Sequence, residues 1–129
     1  MEYQVIIMAS VCVIGIYVHD MDKAVEFYCD NLGFKEAARY DDGCIVRLEN
    51  DGPPVILEKV GKAGKIEYPG VSQVVLGIET DDIERSSDEL RGKGVEFLHE
   101  KPQAFVAGHM MAMRDPSGNV LELLQFHQE

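Results

Sequence analysis

The chain has no stripe of basic residues, no CxxC pair and no apolar stretch long enough to cross a bilayer, and each gap narrows what it can do. Only 12 lysines and arginines stand against 23 acidic residues, a net charge of −11. With no basic stripe and no aromatics interleaved with arginine, sequence-directed nucleic-acid binding is not expected. The three cysteines, Cys12, Cys29 and Cys44, are odd in number and lie inside apolar patterns, so they read as buried free thiols in a reducing compartment. No neighbouring pattern supplies a base that would make one of them a nucleophile. The uncharged run 5–18 is the one candidate membrane or signal segment. Glu2 precedes it where a signal peptide carries basic residues, and it is too short to span. A soluble cytoplasmic protein with neither a nucleic-acid nor a membrane partner is expected. The acidic surface would concentrate a cationic ligand, although solubility alone also accounts for it.

What is present is one pattern written twice. At 129 residues the chain is about one domain, able to bury roughly two thirds of its unfolded surface. Residues 43–58, beginning Gly43-Cys44-Ile45-Val46-Arg47, overlay 108–123, beginning Gly108-His109-Met110-Met111-Ala112, without a gap. Each reads as strand, turn, strand. Val18-His19-Asp20-Met21-Asp22 is echoed by Thr80-Asp81-Asp82-Ile83-Glu84, each closing an apolar run and opening a helix. The chain is thus a single domain of two modules, about 11–60 and 71–126, joined by a loop at about 61–70. Paired modules of this kind enclose a cavity.

In module one, 11–18 reads as a strand apolar on both faces and therefore central, with Val13, Gly15, Tyr17 and His19 on one face. Asp20 caps a helix with Met21, Ala24, Val25 and Tyr28 inward, which Gly33 ends. Strands follow near 35–40, 44–49 and 54–60, joined by turns at Asp41-Asp42-Gly43 and Asn50-Asp51-Gly52. Residues 62–70 mix glycine, proline and charge without a period and read as loop. Module two repeats the order: a strand at 71–78, a helix capped by Asp81 or Asp82 with Ile83, Ser86, Ser87 and Leu90 inward, then strands near 95–99, 109–114 and 119–125. Asp115-Pro116-Ser117-Gly118 forms the last turn. Residues 3–8 suggest an added strand.

Two stretches carry a resemblance. Tyr17-Val18-His19-Asp20-Met21-Asp22-Lys23-Ala24-Val25-Glu26-Phe27-Tyr28 through Leu32-Gly33-Phe34, and Arg114-Asp115-Pro116-Ser117-Gly118-Asn119-Val120-Leu121-Glu122-Leu123, resemble the vicinal oxygen chelate superfamily of glyoxalases, bleomycin-resistance proteins and extradiol dioxygenases. The resemblance implies an α+β fold of two βαβββ modules curling into a cupped mixed sheet. It also implies a homodimer, with the cup as active or binding site. That fold hosts several chemistries, so function must be argued from the site.

Metal-dependent members of the superfamily place a donor on the first and last strand of each module, because a divalent ion needs several converging imidazole or carboxylate ligands. Those points fall here on Val13, on Leu57 by the gapless overlay, on Gln73 or Val75, and on Glu122. Two of the four are aliphatic, so no cofactor is expected. The alternative is a divalent metal such as Ni, Zn, Mn or Fe held by Glu122, Gln73 and Glu58, which needs a one-residue slip of the strand at 55–58 to turn Glu58 inward. Without a metal, Glu122 and Gln73 form the polar end of an apolar pocket lined by Val13, Tyr17, Leu57, Phe105, His109 and Met111, suited to a ligand's amine or hydroxyl groups. Tyr40 is a further stacking candidate, and Met110 and Met113 share the methionine-rich strand, whose side chains either line a plastic pocket or fill core. His19, beside a helix N-terminus, could serve as a base. His99 and His127 read as surface residues. Two functions follow: a metal-free protein that binds a small, cationic, amphiphilic molecule, or a divalent-metal glyoxalase-like lyase or isomerase.

Overall fold

A computed structural model describes residues 9–128; the strand suggested at 3–8 lies outside the described residues. Module one runs β1 (Ile14–Val18), α1 (Met21–Val25) continued by a π-helical segment (Glu26–Asn31), β2 (Lys35–Tyr40), a 3₁₀ turn (Asp41–Gly43), β3 (Ile45–Glu49) and β4 (Val55–Lys59). Module two runs β5 (Leu76–Glu79), α2 (Ile83–Gly92), β6 (Glu96–Phe97), β7 (Gln103–Phe105), β8 (Gly108–Arg114) and β9 (Val120–Phe126). The strand order is β1-β4-β3-β2 in the first mixed sheet and β5-β9-β8-β6 in the second, with β7 also paired to β8. In each, the first strand is parallel to the last and the remaining pairs are antiparallel.

The caps do what their residue types dictate. Asp20 accepts a hydrogen bond from Lys23 N and Asp82 from Arg85 N, both at 3.1 Å, satisfying backbone donors that a helix start leaves free. Gly33 and Gly94 close the two helices at φ +89° and +86°. The interval from Asp20 to Gly33 is one residue longer than that from Asp82 to Gly94. Module one absorbs the extra residue as its π segment, in which Leu32 N reaches back to Phe27 O. The wider turn lets Phe27 and Tyr28 be buried side by side.

One core cluster draws on both modules: Val18, Met21, Phe27, Tyr28, Leu48 and Leu57 meet Ile83, Leu90, Met111, Met113, Leu121 and Leu123. The joint between them is polar and built on the last turn. Buried Asp115 accepts from Ser117 N and Asn119 N on Oδ1, and from Asn119 Nδ2 and the Tyr28 hydroxyl on Oδ2, at 2.8 to 2.9 Å. Burial, then the Asp115 charge and hydrogen bond, raise the Tyr28 phenol far above its ordinary value. Ser117 Oγ accepts from His19 N at 3.0 Å and shares a hydrogen bond with the His19 ring at 3.1 Å, while Asn119 Nδ2 donates to Tyr17 O. His19 is thus committed to joining the modules.

Several expectations change. β1 lies at an edge of its sheet among the described strands, not at its centre. Ile14, Ile16 and Val18 face the core, and the second apolar face it carries is open, with Tyr17 62% exposed. Cys12, ahead of β1, is exposed; Cys29, inside the π-helical segment, and Cys44, just after the 3₁₀ turn, are half-buried. Burial, with Glu36 and Asp30 nearby, pushes the Cys29 thiol up. The strand expected at 71–78 begins only at Leu76, because turns closing at Val71 and Ser72 hold the preceding residues. His99 is half-buried: its Nε2 accepts from Ala112 N at 3.0 Å where a strand carbonyl would, which ends β6 early. No described helix is long and apolar enough to cross a membrane.

Candidate functional site

Side-chain alternation gives each sheet a face turned away from the helices. On the first sheet, register places Gly15, Ile56, Arg47 and Ala38 in one row across β1, β4, β3 and β2, and Tyr17, Glu58, Ile45 and Tyr40 in the next. On the second, the corresponding rows are Gly77, Glu122 and Ala112, then Glu79, Leu124, Met110 and Gln103. Leu48 opposes Val55 while Met113 opposes Leu121, so the turn of module two holds one residue more than that of module one. The gapless overlay therefore fails at the turn, and the counterpart of Glu122 is Ile56.

That shift relocates the expected lining residues. Leu57 and Met111 are both 0% exposed in the core, and Met113 lies with them. Ile56, Glu58 and Met110 take the places on the concave faces. Tyr17, Glu58 and Tyr40 share a row of the first face, the two tyrosines on its outer strands, with Val13, 46% exposed, just ahead of β1. Glu122 and Phe105 share the second without meeting, Glu122 opposite Ala112 and Phe105 opposite Gly108. His109 points to the opposite side, exposed, its ring 6.2 Å from that of His127. Gly108 beside it is held by backbone: a Cβ there would lie 1.9 Å from Gln125 O. Gln73 is exposed in the loop before β5, which leaves Val75 as the residue two before Gly77, matching Val13 two before Gly15.

A partner of Glu122 that sequence reasoning missed comes from the loop. Tyr68 donates its hydroxyl to Glu122 Oε2. Burial first, then the carboxylate, push the Tyr68 phenol up to about 12. Ile66 and Tyr68, with Leu98, Phe105 and Leu124, pack on Met110, Ala112 and Val120 to form a second apolar cluster. Arg114 Nη1 holds the loop in place by donating to Ile66 O at 2.8 Å and to Gly118 O at 3.1 Å. The only signal was alternation: Ile66 and Tyr68 are half-buried between exposed Lys65, Glu67 and Pro69.

The donor positions that a divalent ion would use are Val13, Ile56, Val75 and Glu122. Three aliphatic side chains and one carboxylate do not fit such an ion. No group of three His, Cys, Asp or Glu side chains able to hold a metal occurs among the described residues. A cleft of about 770 Å³ lies at the module junction between Lys23, Glu26, Lys93, Arg114 and Ser117, and includes none of Tyr17, Glu58, Tyr68 or Glu122. Its charges are mixed, and Arg114 and Asp115 are already engaged by backbone and Tyr28.

Comparison with known proteins agrees with this architecture. A family model described as Glyoxalase/Bleomycin resistance protein/Dioxygenase superfamily matches residues 10–123. The chain is 29% identical over 120 residues to a probable lactoylglutathione lyase of Synechocystis sp., with 85% of this chain and 90% of that protein covered. It superposes on TnmS3, an antibiotic binding protein from Streptomyces sp. CB03234, with a TM-score of 0.69 at 24% identity, covering 95% and 99% of the two chains. The fosfomycin resistance protein FosX from Listeria monocytogenes gives a TM-score of 0.75 at 15% identity, covering 95% of each chain. At these identities the two solved structures share the fold.

Proposed function

The chain belongs to the Glyoxalase/Bleomycin resistance protein/Dioxygenase superfamily, and we propose that within it this protein binds a small amphiphilic molecule without a metal, on the concave faces of its sheets. The observation that carries this reading is the position of Glu122, a carboxylate in the middle of an apolar face whose three companion donor positions are Val13, Ile56 and Val75. A lone carboxylate among methionine, valine and leucine suits one amine or hydroxyl group on an otherwise apolar ligand. The excess of negative charge favours a cationic one. The likeness of the fold to an antibiotic binding protein supports the same class of role. We further propose that the two modules act as one domain in a cytoplasmic homodimer. In support, β1 and β5 are sheet edges among the described strands, and Val11, Val13, Val71 and Val74 stand exposed on the segments leading into them.

The second reading, a divalent-metal lyase or isomerase of glyoxalase type, is favoured by the 29% identity to the probable lactoylglutathione lyase. The donor set argues against it. Calorimetry with nickel, zinc, manganese and iron(II) on the wild type and Glu122→Ala decides between them. The metal-free reading expects no binding tighter than about 1 µM and thermal stabilisation of the wild type, but not of Glu122→Ala, by cationic amphiphiles. Stoichiometric tight metal binding lost in Glu122→Ala would overturn it.

A further inference from the structure

The second concave face already has an occupant. The Tyr68 side chain is an aromatic ring carrying a hydroxyl donor; it lies against Met110, Ala112 and Val120, and its hydroxyl is on Glu122. It arrives on a segment without helix or strand, between Lys59 and Leu76, held over the face by its two half-buried side chains and by Arg114. Without a strand ladder, such a segment opens at lower cost than the sheet beneath it. Among the described residues the counterpart face on the first sheet has no such cover: a Cβ at Gly15 would have nothing within 4 Å, and Tyr17 and Tyr40 are exposed.

We propose that the face around Glu122 is a binding site for aromatic small molecules bearing a phenolic hydroxyl or an equivalent donor, and that Tyr68 is the internal occupant such a ligand displaces. The inference rests on the reading that the concave faces bind small molecules, and it names the ligand class from the group the site already accepts. The chemistry is complete without further partners. An apolar floor takes the ring, a carboxylate takes the donor, and the exchange trades one hydrogen bond on Glu122 for another. Binding is therefore weakened by the fraction of molecules in which Tyr68 is in place. Ile66 and Tyr68 leave together, since both lie on the same edge of the segment.

The test replaces the side chain by its free equivalent. Tyr68→Ala is titrated calorimetrically with p-cresol, which reproduces the tyrosine side chain, and with toluene, which keeps the ring without the donor. The expected result is one p-cresol bound per chain at least about tenfold more tightly than toluene, as for loss of a hydrogen bond to a charged acceptor. That preference should vanish in the Tyr68→Ala, Glu122→Ala double variant. The wild type should bind p-cresol more weakly than Tyr68→Ala, and saturating p-cresol should speed amide exchange of residues 64–70. If Tyr68→Ala fails to fold, Tyr68→Phe keeps the ring and should still bind p-cresol more tightly than the wild type. Equal affinity for p-cresol and toluene in a folded Tyr68→Ala would overturn the proposal, as would equal p-cresol affinity in wild type and variants. A cationic amphiphile that binds the wild type through Glu122 but is indifferent to Tyr68 would sink this inference and leave the concave-face reading standing. No concave-face binding by any of these probes would sink both.

Discussion

Gly15, Ile56 and Arg47 form a row across three strands of the first sheet, the two ends exposed and Ile56 half-buried; Gly77, Glu122 and Ala112 form the same row on the second, where Ala112 is buried with Ile66 and Tyr68 and Glu122 accepts from the Tyr68 hydroxyl. The backbone is repeated, so the difference lies in side-chain size and in the chain that follows. Where module one has the long, charged Arg47, module two has Ala112, fully buried, and a small residue leaves room for a crossing segment. Where module one has Ile56, module two has a carboxylate that fixes the crossing segment through Tyr68. Among the described residues, a duplicated fold thus carries one face that Tyr68 fills from within and one that no such segment crosses.

Enlarging the floor of the filled face should break this asymmetry most strongly. Ala112→Leu adds three carbons beneath Ile66 and Tyr68 and should cost about 1–3 kcal/mol by overpacking, with amide exchange rising across 64–70. Arg47→Leu, the same change of place on the open face, should stay within about 0.5 kcal/mol. Urea midpoints of the two variants give the comparison. Equal losses would mean that the faces are not differently covered.

Much of this molecule is legible from its residues because the signals are local. Asp20 and Asp82 mark helix starts, Gly33 and Gly94 mark helix ends, and Asp115-Pro116-Ser117-Gly118 marks a turn. What misled was agreement between strands of period two. The stretches at 55–58 and 120–123 match as well in the wrong register as in the right one, and only the pairing Leu48 to Val55 against Met113 to Leu121 reveals the extra residue. That single residue moved Leu57 into the core and Ile56 to the concave face. Tyr68 was hidden for another reason. Its glycine- and proline-rich surroundings read as loop, and its partner Glu122 lies 54 residues away, a contact no local pattern encodes. His99 is similar, since only tertiary structure shows a ring nitrogen standing in for a strand carbonyl.

Titration with base probes the same difference through the tyrosines. The neutral phenol of Tyr68 is the form the fold favours, so its contribution to stability is complete below the ordinary value of 10.0 and is lost as pH rises from there to about 12. Tyr68→Phe should remove a late-ionising phenol from the ultraviolet titration and leave a shallower fall of stability across that window. Its cost near neutrality should be about 1 kcal/mol, the usual worth of one hydrogen bond. Early ionisation of every tyrosine except Tyr28 would show that Tyr68 is not held on Glu122.

The finest comparison uses the two glycines at the same point of the first strands. Replacing glycine by alanine in a strand gains about 0.5–1 kcal/mol, chiefly from the unfolded chain. Gly15→Ala should realise that gain, because a Cβ there meets nothing within 4 Å. At Gly77 the new methyl would lie 2.9 Å from Leu124 Cδ1, the flexible end of a side chain that itself packs in the Ile66 and Tyr68 cluster. Leu124 must turn, and it can turn only by pushing on that cluster, so Gly77→Ala should come out near neutral. A difference of about half a kcal/mol in unfolding free energy between the two variants is therefore a direct reading of how tightly the second face is packed. If Tyr68→Ala is introduced first, the cluster has space for Leu124 to move, and the two glycine substitutions should become equal.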